Sequence, residues 1–185
     1  LEHQQESLQA VIYPVSADLD YAEDGIVICG PMTKAAINKA ITVANNLGLD
    51  RCLMLFASTN DGKKWYGQKM GRVMQAYALE QCPDLQTYYE EAPSFNTFGE
   101  CVAITRFIIE NRQRLSLTNL FLVVKDWHAF RTEVAQRLVF WKHRYPFPLA
   151  CATHEASAPF RDRVLEIPKM GLVFLRTILY KPFIR

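Results

Sequence analysis

The chain has no Cys-x-x-Cys pair, no glycine-rich phosphate fingerprint, no apolar run long enough for a bilayer and almost no net charge. Each gap removes a class of protein. Its five cysteines, Cys29, Cys52, Cys82, Cys101 and Cys151, are an odd number spread through 185 residues, which argues against a disulfide framework and for free thiols in a reducing compartment. Most stand in apolar runs, as Cys29 does after Ile26-Val27-Ile28, where a thiol acts as a small hydrophobe. Twenty-one basic against nineteen acidic side chains give a formal charge of +2. That is far from a dense positive field, so no nucleic-acid partner is expected. No apolar run reaches the roughly 18–20 residues that cross a bilayer, and the N-terminus lacks the order of a signal peptide, so no transmembrane span is expected. The expected location is cytoplasmic. Because the chain opens on Leu1-Glu2-His3 without an initiating Met, an envelope-associated location through a preceding anchor is the alternative.

Further absences narrow the chemistry. Gly30-Pro31-Met32-Thr33 lacks the repeated glycines of a dinucleotide fingerprint or a P-loop, so neither NAD nor ATP is signalled there. No Gly-x-Ser-x-Gly elbow occurs. His143 and His154 lie far from His128 in sequence and belong to other elements, so no metal site is expected.

What is present is an alternation of short apolar runs and helix-periodic segments, with half of all residues hydrophobic. Gly25 to Gly30 reads as a strand, and Pro31 and Thr33 open a helix carrying Ala36, Ile37, Ala40, Ile41, Ala44 and Leu47. Gly48 ends that helix before a second strand, Arg51 to Phe56, completes a βαβ unit. A helix from about Trp65 to Cys82, a strand over Gln86 to Tyr89, and a helix after Thr97 follow. Leu120-Phe121-Leu122-Val123-Val124 is the strongest strand signal. A helix from about Ala129 to Trp141 and a fifth strand, Leu149 to Ala152, complete the core. The expected fold is α/β: a Rossmann-like, doubly wound, mostly parallel sheet of about five strands with helices on both faces. One domain is expected over residues 1–185, its core at about 24–153, with a C-terminal helix at about 169–180 docked on the sheet. The basic flanks of that helix also suit a membrane surface, but its polar face is thin.

Ligands of open α/β sheets bind beyond the carboxyl ends of the strands, so the polar residues there matter most. Thr97-x-x-Glu100 has the form of a capping box. It can simply satisfy orphan amides, or the same dipole-positive terminus can hold a phosphate or carboxylate, with Ser94 and Asn96 as extra donors. Lys125-Asp126-Trp127-His128-Ala129-Phe130-Arg131 follows the strongest strand directly. His128 and Arg131, three apart at a helix start, can meet one ligand. Arg offers a planar fork for an oxyanion and His exchanges a proton near neutral pH. The structural alternative is that His128 caps its helix or packs on Trp127, while Arg131 pairs with Asp126 or Glu133. Ser58-Thr59-Asn60-Asp61-Gly62-Lys63-Lys64 suits either a phosphate lobe or an ordinary turn.

Ser94-Phe95-Asn96-Thr97-Phe98-Gly99-Glu100 and Val123-Val124-Lys125-Asp126-Trp127-His128-Ala129-Phe130-Arg131 together resemble two of the four motif blocks of the YdcF/SanA/ElyC-like family of bacterial α/β proteins. Ile28-Cys29-Gly30 and Ala57-Ser58-Thr59 match the other two blocks loosely. In place of the family's acidic residue early in the next helix stands Gln68 or Lys69. The resemblance implies a Rossmann-like fold, S-adenosylmethionine as a cofactor candidate, and links to envelope processes. It places Ser58, Ser94, Asn96, Thr97 and Asp126 around a small anionic or nucleotide-like ligand, with His128 and Arg131 as the catalytic pair and no metal. Two expectations follow: a ligand-binding α/β protein with His128 as acid/base, or a catalytically degenerate, envelope-associated binding or scaffolding module. A methyltransferase rests on the resemblance alone.

Overall fold

Ile26, Val27 and Ile28 are all buried, which is why the first strand reads as an unbroken apolar run rather than an alternation: a parallel strand is covered on both faces. In the computed structural model, which describes residues 22–28, 33–58, 70–92, 96–145, 147–154 and 160–181, strands and helices alternate. They are β1 (Asp24–Ile28), α1 (Lys34–Leu47), β2 (Cys52–Ser58), α2 (Met70–Gln81), β3 (Gln86–Glu91), α3 (Thr97–Glu110), β4 (Asn119–Lys125), α4 (Asp126–Lys142), β5 (Leu149–His154) and α5 (Phe160–Leu179). The five strands form one sheet in the order β3-β2-β1-β4-β5, every pairing parallel. The doubly wound α/β fold expected from the sequence is the fold observed.

The chain steps outward from β1 to β3, and α3 then carries it back to β4 on the other side of β1. Alternate side chains feed two cores. Ile26, Ile28, Met54 and Phe56 meet Ile37 and Ala40 of α1 and Met74 and Ala78 of α2. On the opposite face Val27, Leu55, Leu122 and Val124 meet Ile104, Phe107 and Ile108 of α3 and Phe140 of α4. Between α3 and α4 the wholly buried Gln136 donates to the Thr105 hydroxyl at 2.8 Å, a polar peg that fixes their register. Cys52, Cys82 and Cys101 are buried and reduced, and burial pushes the Cys52 thiol up to about 11. They pack as small hydrophobes.

Two boundaries differ from the sequence expectation. α4 starts at Asp126, directly after β4, so Asp126 to Arg131 lies in the first turns of a helix rather than in a loop, and Lys125 closes the strand. The last helix begins at Phe160, not near 169, and runs through Pro168. A proline costs a helix one i→i−4 bond and crowds the preceding turn. Here tertiary packing outweighs that cost, because buried Glu166 precedes the proline and Val173 and Thr177 follow it on the same face. α5 does not lie against the sheet. It forms a third layer on α3 and α4, where Val173 joins Phe98, Cys101 and Val102 of α3 and Ala135 and Val139 of α4. Tyr180 clamps its end, edge-on to Phe98 at 5.6 Å between centroids and 2.8 Å from His143 Nε2. Among the described residues, no helix is long and apolar enough to cross a membrane.

Gly48 turns the chain from α1 toward β2 at φ +103° and ψ +119°, a conformation that a Cβ strains. Gly48→Ala is expected to lower the unfolding free energy by about 1–3 kcal/mol, read from urea denaturation with an unchanged m-value.

Candidate functional site

The α3 N-terminus is capped by Asn96 and not by Thr97. Asn96 has an extended backbone, and its Oδ1 accepts the Gly99 amide at 3.0 Å. Thr97 is the first helical residue, so the cap stands one position before the one expected, and with Gly99 as the third helical residue no reciprocal capping box forms. The reason is geometric: the cap must stand outside the helix with its oxygen over the third helical amide, and the extended residue there is Asn96. Relieved of capping, the Thr97 hydroxyl turns inward, and its Oγ1 lies 3.1 Å from His128 Nε2 across the α3–α4 interface.

His128 is on the first turn of α4, just beyond the carboxyl end of β4, and only 3% exposed. Arg131, one turn later, lays its guanidinium against the imidazole, with Nη2 2.6 Å from Nδ1 and 3.0 Å from Nε2, and reaches Thr97 Oγ1 at 3.5 Å. The group that completes the cluster comes from α5. Glu166 Oε2 lies 3.0 Å from Arg131 Nε and 3.4 Å from His128 Nδ1, while its Oε1 accepts from Lys169 at 3.0 Å. Lys169 in turn sits over the Trp127 ring, 5.7 Å from its centroid. Although Arg131 Nε and Glu166 Oε2 are close, neither completes a hydrogen bond among the described residues. Their attraction is ionic, with the directional part unmade.

The ring therefore lies between a hydroxyl and a carboxylate. The Arg131 guanidinium, which can only donate, stands within reach of both ring nitrogens. Burial, reinforced by the adjacent Arg131 charge and opposed by Glu166, pulls the His128 pKa from 6.5 down to about 4. At neutral pH the imidazole is uncharged. Thr97, His128, Arg131 and Glu166 thus bring a hydroxyl, an imidazole, a guanidinium and a carboxylate together.

Of the residues singled out in the sequence, Thr97, His128 and Arg131 are brought together. Asn96 stands beside them, with its side-chain oxygen committed to the cap. Asp126 is exposed on the first turn of α4 and shares no hydrogen bond or ion pair with the cluster. For Ser58 only the backbone, closing β2, is described, and Ser94 lies outside the described residues, as does most of the Ser58–Lys64 loop. Neither structural alternative for Arg131 holds: Glu133 pairs with Arg137 at 2.8 Å, and Arg131 pairs with Glu166. Trp127 does meet the His128 ring, edge-on at 5.4 Å.

Glu166 was not legible as a site residue. It carries no motif and reaches the cluster from a helix 35 residues after Arg131. The one signal is a lone acid in an apolar stretch, three residues before Lys169.

The chain was also compared with known proteins. No family model, curated protein or solved structure matches it. A cavity of about 320 Å³ opens between α3 and α5, lined by Asn96, Phe98, Arg176, Leu179 and Tyr180; Asn96 neighbours the cluster in sequence, but Thr97, His128, Arg131 and Glu166 do not line it. A second, of about 470 Å³, lies at the far end of α4 and is lined by none of the cluster residues.

Because the folded chain refuses a proton on His128 that the unfolded chain takes up, stability is expected to fall as pH drops from 6.5 to about 4. The His128 contribution to that fall is on the order of 3 kcal/mol. Melting curves across this window should decline more steeply for the wild type than for His128→Gln; parallel declines would contradict the buried, neutral imidazole.

Proposed function

We propose that this chain is a YdcF-like, Rossmann-type protein that binds an anionic or nucleotide-like ligand at the carboxyl ends of its strands, with His128 as acid/base. The resemblance of the Ser94–Glu100 and Val123–Arg131 blocks to that family supports the assignment, and S-adenosylmethionine is a ligand candidate on that ground alone. The observation that carries the binding reading is the Glu166 carboxylate itself: an oxyanion is seated against the guanidinium of Arg131 and the imidazole of His128. The arrangement lies at the N-termini of two helices, where backbone dipoles favour negative charge. A ligand phosphate or carboxylate would replace Glu166 on Arg131, engage the donors that Glu166 leaves unsatisfied, and extend into the cavity lined by Asn96 and Arg176. The neutral His128 would then accept a proton, from the Thr97 hydroxyl or from the ligand, as a base first and an acid afterwards.

A second reading, a binding or scaffolding module without turnover and associated with the envelope, is favoured by one observation. The chain closes its own site, with His128 almost wholly covered.

Thermal shifts against nucleotides, nucleotide sugars, S-adenosylmethionine and inorganic phosphate separate the two. A ligand at about 100 times its Kd adds roughly 2.7 kcal/mol. Glu166→Ala is expected to melt lower than the wild type without ligand and to gain more from it, and Arg131→Ala is expected to lose the gain. A shift unchanged in Arg131→Ala would reject the proposed site. Silence of both wild type and Glu166→Ala across the panel would leave the scaffolding reading.

A further inference from the structure

α5 is amphipathic the wrong way round for a helix that merely covers a core. Its inward face carries Glu166, Val173 and Thr177, of which two are polar. Its outward face carries eight large apolar side chains between 42% and 74% exposed, among them Ile167 at 74%, Ile178 at 71%, Leu179 at 70%, Leu175 at 52% and Phe174 at 48%. Together they present on the order of 700 Å² of apolar surface, more than the roughly 300–600 Å² of the largest patch on an ordinary monomer. It approaches the roughly 800 Å² that each partner brings to a stable interface.

The order of these residues indicates what covers them. Gly171 stands in the middle of the outward face, and a Cβ built there would meet nothing within 4 Å. Apolar residues flank it symmetrically: Pro168 and Phe174 at three positions either side, Ile167 and Leu175 at four, Val164 and Ile178 at seven. Three, four and seven are the spacings that keep residues on one helical face. These six positions read the same in both directions about a small residue and so complement an antiparallel copy of themselves, while Leu165, Leu172 and Leu179 widen the stripe along one flank. Laid across a two-fold axis at Gly171, two α5 helices would oppose Ile167 to Leu175 and Val164 to Ile178, with the glycines permitting close approach. A membrane surface fits less well. An interfacial helix needs a strongly charged opposite face, and here that face is packed on α3 and α4, with Lys169 already tied to Glu166.

We infer that α5 is the interface of a two-fold homodimer in which the outward faces of two α5 helices pair antiparallel about Gly171. None of the residues invoked belongs to the His128 cluster, and only Leu179 also borders the cavity lined by Asn96 and Arg176, so the dimer does not rest on the proposed function.

Sedimentation velocity over a dilution series tests it on the full chain. The wild type is expected to sediment as a dimer, and Ile167→Glu and Leu175→Lys, each at an exposed position, to shift dissociation by tenfold or more toward monomer. Mixing the two variants is expected to restore a dimer, because Glu at 167 of one copy then faces Lys at 175 of the other. Restoration on mixing also separates a broken interface from a broken fold, since misfolded chains would not recover. A wild type that stays monomeric at every concentration overturns the inference, including one that instead co-sediments with vesicles of anionic phospholipid. So does a dimer indifferent to both substitutions, or variants that stay monomeric when mixed.

Discussion

Every strand pairing in this sheet is parallel, and a parallel neighbour can be reached only by a crossover long enough to hold a helix. The rest of the molecule depends on that constraint. It covers both faces of β1, β2 and β4, which makes those strands apolar throughout. It also brings all strand carboxyl ends, and hence the first turns of the following helices, to one edge. The return of the chain from β3 to β4 then sets α3 beside α4, so Thr97 and His128, 31 residues apart, meet at 3.1 Å. The cluster is thus a product of topology as much as of its motif residues.

Once formed, the cluster is costly to disturb. Arg131 and Glu166 are both largely withdrawn from water, and removing one partner of such a pair leaves the other charge buried and uncompensated, typically at about 3–5 kcal/mol. The same pairing ties the N-terminal half of α5 to α4, while Val173 and Tyr180 tie its C-terminal half to α3 and α4. The polar cluster and the docking of the outermost helix therefore share a residue. Changes in the site act on the helix, and changes in the helix act on the site.

Much of this was readable from sequence where the signal was local. Unbroken apolar runs gave the strands, helical periodicity gave the intervening helices, and the crowding of His128 and Arg131 after the strongest strand pointed to two side chains that the fold does bring together with Thr97. The misreadings were of residues whose role is decided across elements. Thr97 and Asn96 are adjacent candidates for one cap, and only the backbone shows which of them is extended. Glu166 has no local mark, because its partners lie on another helix. α5 was cut short at its proline, and its more apolar face lies outward, so periodicity located the helix without showing which side meets the protein.

Pro168 has a mechanical consequence. Lacking an amide hydrogen, it leaves the Val164 carbonyl without its bond across the turn, between the part of α5 that bears Glu166 and the part that bears Val173, Thr177 and the Tyr180 clamp. The stretch before the proline is coupled less tightly to the stretch after it than in an uninterrupted helix. Release of the carboxylate from Arg131 then requires the loosening of one turn, not the undocking of a packed helix. The Glu166 carboxylate is thus carried on the turn of α5 that has one backbone hydrogen bond fewer.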